Sequence, residues 1–424
     1  MKHTHPRLSQ KPELFDAREA HDNGIVRYDA DGTVHLTLST GEICNIPSAH
    51  QFDLTQGTIF GLNERITSAA TSPKMDETGK TLRDLFNQEW ELYEKAMESA
   101  EGNSMPYGIY AYYRERNDLV RYCPEFWHRT VAVASSGTLL NNPQKSLSWS
   151  AIRNIFENTV IGVAGGSVGN NVLHSIALDL RPRKVKIADK SNYKLENINR
   201  VRLGYDEMST SNLERKNIKE FLAKNKARIT AEQIYRIDPF IDIFVYEDGI
   251  TEENAEQFLR GDGNEPPIDI LLEEVDDPSV KVLLRELARK YRIPLIMVSD
   301  MGSAVQLDVL RYDLDSETPL TFGTPDNVLH ASLDTILQSP RPTEELFFNF
   351  VDKLIGTEYR TGELESILLN KSEIPTSTLI PQLGSTAAMA GAIAAETVAR
   401  IRLGHSYPQR VFINKHTFRV TIYP

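Results

Sequence analysis

Residues 159–200, TVIGVAGGSVGNNVLHSIALDLRPRKVKIADKSNYKLENINR, constrain the fold more than any other stretch of the chain. They open with β-branched and small apolar residues, as a buried strand does. Gly165, Gly166, Ser167 and Gly169 then leave the backbone bare of bulk, and an apolar helix is expected from about Asn170 to residue 180. A second strand at 184–188 ends at Asp189, twenty residues past Gly169. This order of strand, glycine-rich turn, helix, strand and acid is that of a mononucleotide-binding βαβ unit. Its turn and helix N-terminus offer N–H groups to phosphates, and its acid faces ribose hydroxyls.

The alternation continues after Arg200. A charged helical segment is expected over 206–236, strands at 240–247, 269–272 and 294–298, and an amphipathic helix at 279–290. Acids cluster at the strand ends: Glu273, Glu274, Asp276 and Asp277, then Asp300, which reads as a loop cap. From Ala304 the pattern turns antiparallel. Residues 323–377 are polar with one helix near 342–354, a small-residue helix follows at 385–403, and a terminal strand spans 410–423. The expected class is α/β: over 158–424, a Rossmann-like, mostly parallel sheet with antiparallel C-terminal strands. Residues 1–100 read as a small α+β N-terminal module, with three short strands punctuated by Asp31-Gly32 and Thr40-Gly41, then a helix at 81–99. Residues 101–157 read as connecting strands, at 107–113 and 118–122, and a helix near 149–156.

A net charge of −12 argues against nucleic acid as the main partner. The only cysteines, Cys44 and Cys123, cannot form a zinc tetrad and read as buried thiols. With no apolar leader and no apolar run of membrane-spanning length, a soluble, cytoplasmic protein with no membrane partner is expected.

The residues after the βαβ unit point to nucleotide chemistry rather than hydride transfer. Asn197 and Arg200 place an amide and a guanidinium where a polyphosphate would lie, and Asp276 is an oxygen ligand suited to Mg2+. A glycine turn with Gly166 and Gly169, then Asp189, then Asn197 with Arg200, then Lys226, then Asp276 resembles the ThiF/MoeB superfamily, which includes the ubiquitin-activating enzymes. Lys226 is preferred as the motif lysine because of its distance from 237–239; Lys216 is the fallback. The resemblance covers 155–312 well and 378–424 loosely, and is closest to bacterial ThiF-type proteins.

The chain departs from that pattern at Ala164, Ser191, Val201 and Asp277, and the long gap between Arg200 and Lys226 implies an inserted helix. No cysteine follows residue 123, so a thioester step is not expected. What the resemblance implies is attack of a substrate carboxylate on the α-phosphate of ATP. Arg200 and Lys226 would neutralise charge, Asp276 would hold Mg2+, and Gly165, Gly166, Ser167, Gly169, Asn170, Asp189 and Asn197 would bind the nucleotide. It also implies a homodimer. The N-terminal strands faintly resemble the winged peptide clamp of the ThiF-type enzymes that modify microcin C and pantocin precursors, which implies a peptide or small-protein carboxylate as substrate. A dimerisation or lid role for this module, a non-catalytic nucleotide-binding partner and an NAD(P)-dependent oxidoreductase stay open at this point. So does the choice among the acids at 273–277.

Overall fold

The computed structural model describes residues 6–51 except 9 and 48, 108–122, 147–204 except 148, 195 and 196, 224–356 except 342, and 382–423, with residues 79, 88, 125, 128, 129 and 207. The expected helix at 81–99 apart from residue 88, and positions 208–223 of the helical segment expected over 206–236, with Lys216 and Cys123, lie outside these residues.

Near the N-terminus, β1 (Glu13–Asp16) and α1 (Ala17–Asp22) precede an antiparallel meander of β2 (Val26–Tyr28), β3 (Val34–Thr37) and β4 (Ile43–Ile46). Gly32 and Gly41, both at positive φ, make the two turns. A second sheet has the order β1-β6-β7-β5, with β5 at Ala49–Gln51, β6 at Ile109–Tyr113 and β7 at Asp118–Tyr122. Residues 1–100 and 101–157 therefore share a sheet.

The central sheet follows α2 (Trp149–Glu157). Its elements are β8 (Val160–Ala164), α3 (Val168–Asp179), β9 (Lys184–Ala188), α4 (Lys226–Ile237), β10 (Asp242–Tyr246), α5 (Ala255–Arg260), β11 (Ile270–Glu273), α6 (Pro278–Lys290), β12 (Leu295–Met301) and β13 (Ala304–Leu310). They are followed by α7 (Asp326–Gln338), α8 (Glu344–Ile355), α9 (Gly384–Leu403), β14 (Arg410–Asn414) and β15 (Arg419–Tyr423). The strand order is β10-β9-β8-β11-β12-β13-β14-β15, parallel through β12 and antiparallel beyond, as expected for a Rossmann-like sheet.

Alternate strand residues feed two cores, the period-2 consequence of the pleat. Ile161, Val163, Ile187, Leu272 and Val298 pack with α2, α3, α4 and α9, whereas Ala164, Phe244, Leu271 and Met297 pack with α5, α6, α7 and α8. The sheet is thus sandwiched between helices. The small residues of α9 let it lie against α3, and a Cβ on Gly391 would come within 2.5 Å of the Asn171 carbonyl oxygen. The chain leaves β8 for one face and β11 for the other, which opens a crevice at the carboxyl ends of these neighbouring strands.

Two expectations are corrected. The terminal strand is a hairpin, because the Asn414 side chain accepts from the N–H groups of His416 and Thr417 and turns the chain. Among its described residues the polar stretch after 323 holds two helices where one is expected, and Leu329 and Leu333 give α7 its buried stripe. The first residues brace the sheet: Lys11 pairs with Asp242 at 2.6 Å, and Arg7 stacks 3.4 Å over the Tyr246 ring.

Candidate functional site

Each glycine of the turn fits a tight place. Gly165 adopts φ +105°, and a Cβ there would lie 2.3 Å from the Glu274 carbonyl oxygen. On Gly169 a Cβ would meet Val163 at 2.7 Å, so this glycine lets α3 close on β8. Gly166 donates to Asp189 Oδ2 at 2.6 Å and accepts from the Tyr193 hydroxyl at 2.9 Å. The Ser191 N–H holds Asp189 Oδ1 at 2.7 Å. Each carboxylate oxygen thus takes one amide and keeps a lone pair for a ligand hydroxyl. Ser167 stands at the N-cap of α3 without a side-chain capping bond, so the first N–H groups of this helix stay available to an anion. Its hydroxyl instead accepts from Arg200 Nε at 3.2 Å.

Asn197 shapes the loop that carries Arg200. Its Oδ1 accepts from the Lys194 N–H at 2.8 Å, and its carbonyl accepts from Arg200 and Val201. The Arg200 carbonyl is held in turn by Asn171 Nδ2 at 2.8 Å. Val201 packs with Tyr193 and Ile229, so this departure fills a small core. Lys226 is the first residue of α4, which Asn225 caps through the N–H groups of Ala227 and Arg228. The Lys226 N–H donates to the Ser191 carbonyl at 2.9 Å. Ser191 therefore serves through its backbone, and its short side chain is no loss to this contact.

The acids at 273–277 differ in their partners. Glu273 is buried between Lys281 at 2.6 Å and Arg285 at 2.9 Å. Glu274 accepts from the Val298 N–H. Asp277 caps α6 and meets Lys190 at 3.3 Å. Asp276 alone has no hydrogen-bond partner among the described residues. It is open to water yet ringed by protein, as a group on the floor of a cleft is. That crowding pushes its pKa up, while Lys281, Lys226 and Arg200 pull it back and Asp189 opposes them. Of these charges, Lys226, Arg200 and Asp189 are those singled out from the sequence, and Lys281 is not.

Asn170 is placed elsewhere. Its Nδ2 donates to Thr230 and Gln233, so its side chain ties α3 to α4. Asp300 is not a loop cap: it lies within β12 and is only 5% exposed. Oδ1 accepts from Gln382 Nε2, and Oδ2 is buried with no partner among the described residues. Burial lifts its pKa to about 7, against the pull of Arg200. Asp300 and Gln382 line a cavity of about 330 Å³ with Arg200, Asp276 and the α8 residues Phe347 and Val351. Nothing in the sequence around Gln382 marks it, because α9 brings it to Asp300 from 82 positions away.

Among the described residues no group of three or more His, Cys, Asp or Glu could hold a metal by itself. No helix there is long and apolar enough to cross a membrane. Cys44 is a free, half-buried thiol.

A family model described as the ThiF family matches residues 147–422. The chain belongs to the ThiF family. This ThiF-family chain is 29% identical to the uncharacterized protein MT1398 of Mycobacterium tuberculosis (strain CDC 1551 / Oshkosh) over 164 residues, 38% of the chain and 20% of that protein. It therefore spans about a fifth of the length of the curated relative it matches. Among solved structures it is similar to selenomethionine PaaA, with TM-score 0.45, 10% identity, and coverage of 70% of this chain and 82% of PaaA. It is also similar to E. coli MccB with AMPCPP and MccA, with TM-score 0.44, 12% identity, and coverage of 94% and 93%. E. coli TcdA, a tRNA N6-threonylcarbamoyladenosine dehydratase, in complex with AMP gives TM-score 0.39, 14% identity, and coverage of 65% and 95%.

Proposed function

We propose that this chain is an ATP-dependent adenylating enzyme that activates the carboxylate of a peptide or small protein. The observation that carries the reading is the convergence of Lys226, Arg200 and Asp189 on Asp276 beside the Gly166 turn. Membership of the ThiF family supports it.

In this reading Asp189 holds the ribose hydroxyls, and the turn from Gly165 to Gly169 with the open end of α3 cradles phosphate. The substrate carboxylate oxygen forms a bond to the α-phosphorus. The bond from that phosphorus to its bridging oxygen breaks, and pyrophosphate leaves with the electron pair. Arg200 and Lys226 stabilise the charge that builds on the phosphate oxygens, in a crevice where such charges interact more strongly than in water. Mg2+ fits the donor set: it is usually bound by one or two carboxylates with phosphates and water, and Asp276 is one such carboxylate with unspent oxygens. Mg2+ bound there would supply further neutralisation of the phosphates. Arg200, held by Asn171 and Ser167, is pre-positioned for this role.

With no cysteine after residue 123, the chain itself offers no downstream thiol. The reaction then stops at the acyl-adenylate or passes it to a nitrogen, oxygen or carbon nucleophile, and ribosomal-peptide maturation in the cytoplasm is the setting this reading favours. The homodimer expected from the resemblance belongs to the same proposal. ATP–pyrophosphate exchange driven by carboxylate peptides tests it: exchange that requires both peptide and Mg2+ supports the reading, and failure to bind ATP overturns it.

A further inference from the structure

The cavity beyond Arg200 has three chemically distinct parts. At one end stand Arg200 and Asp276, where the phosphates lie in the adenylation reading. Along the sheet, Asp189 follows β9, the glycine turn follows β8, Asp276 follows β11, and the cavity then continues over Ser299, Asp300 and Met301 of β12. Ribose, phosphate and cavity are thus met in strand order, so the cavity lies past the phosphates, on the side away from the ribose. Its wall is apolar: Met301 with Phe347, Val351, Leu354 and Ile355. Asp300 also lines the cavity, and among the described residues its Oδ2 is buried without a donor while Gln382 occupies Oδ1. A buried acceptor left unmet is costly, and inside a cavity it is suited to a ligand's donor.

We propose that this cavity takes the last residue of a peptide substrate, with an apolar side chain against the α8 wall and its backbone N–H on Asp300 Oδ2. This rests on the adenylation reading and names the substrate class for that site. A peptide's terminal residue carries three groups on one α-carbon, and the cavity offers one feature to each. The carboxylate meets the end where Arg200 stands, the N–H meets Asp300, and the side chain meets Phe347, Val351 and Leu354. A volume of about 330 Å³ is at the small end for a ligand site and suits one residue rather than a folded tail. The cations that line the cavity, Lys194, Arg200 and Lys281, are not part of that apolar group, so an acidic side chain seated against these five residues is desolvated by them.

The test uses the full chain. Calorimetry first establishes ATP binding. Pyrophosphate exchange is then measured with N-acetyl-dipeptides ending in leucine, phenylalanine, aspartate or lysine, with free leucine, and with the ester counterpart of the leucine peptide, which lacks the terminal N–H. The leucine and phenylalanine peptides are expected to exceed the aspartate and lysine peptides by ~10-fold in kcat/KM. The ester is expected to fall ~10-fold below the amide, and this gap to close to about twofold in Asp300→Ala. Should Asp300→Ala fail to fold, Val351→Asp is expected to shift preference ~10-fold from the leucine-ended to the lysine-ended peptide. Equal exchange with charged ends, stronger exchange with free leucine, or an amide–ester gap that persists in Asp300→Ala overturns the assignment. So does an enzyme that binds ATP but exchanges with none of these peptides, and that outcome leaves the nucleotide site standing. A chain that binds no ATP overturns the adenylation reading and this one with it.

Discussion

Gly166 and Lys226 are fitted to each other: a Cβ on the glycine would stand 2.9 Å from the lysine Cβ and 3.1 Å from Asp189 Oδ2. The bare turn is thus what admits the N-terminus of α4 to the crevice. Gly166→Ala is expected to push Lys226 and Asp189 apart, lowering ATP affinity ~10-fold or more at a stability cost of ~1–3 kcal/mol from overpacking. Calorimetric ATP titration and urea unfolding read the two effects separately. Unchanged ATP affinity would show that the turn only packs the strand against the helix.

Asp276→Asn separates chemistry from folding. Because Asp276 has no hydrogen-bond partner among the described residues, its loss is expected to leave Tm within about a degree. Pyrophosphate exchange should fall ~100-fold or more, and half-maximal rate should need more Mg2+, since one metal-binding oxygen loses its charge. A fall in Tm with little change in exchange would reassign this carboxylate to structure.

Most of the crevice could be read in the sequence because its parts are backbone-driven. The turn from Gly165 to Gly169 and the strand ending at Asp189 are local patterns, and the order Asn197, Arg200, Lys226, Asp276 follows the chain across the sheet. What could not be read is side-chain direction and tertiary meeting. Asn170 follows the turn, yet helix geometry turns its amide to Thr230 and Gln233. Asp300 looked like a cap because β12 reads apolar only to Val298, whereas it pairs with β13 to Met301. Gln382 gives no local sign at all, since only the seating of α9 brings it to Asp300. The hairpin after Arg410 did leave a signal, the polar run from Asn414 to Thr417, and α7 left one in the spacing of Leu329 and Leu333.

The α8 wall is anchored through Arg410. Its guanidinium grips Asp308 through two bonds, at 2.6 and 2.7 Å, and donates to the Ile355 carbonyl at 2.9 Å. Asp308→Ala takes the carboxylate away from that buried cation, which is expected to cost ~3–5 kcal/mol in denaturant unfolding. A loss below ~1 kcal/mol would mean that water reaches Arg410 once the carboxylate is gone.

Asp300 makes stability depend on pH, with a sign opposite to that of a salt-bridged acid. Its folded pKa is about 7 against an ordinary 3.8, because burial favours the neutral form. Between these values the unfolded chain gives up a proton that the folded chain keeps. Stability from this group is therefore fully present below about pH 4, falls as pH rises to 7, and is level above. Asp300→Asn stays neutral throughout, so its Tm relative to the unsubstituted chain should climb from pH 4 to 7 and then flatten. Arg200 draws Asp300 toward ionisation and Asp276 opposes it, so removing the positive charge with Arg200→Gln should move the upper end of this window higher. Matched melting curves of the three chains from pH 4 to 8 decide the matter. A difference between Asp300→Asn and the parent that stays constant over that range would mean that Asp300 ionises as freely in the fold as out of it.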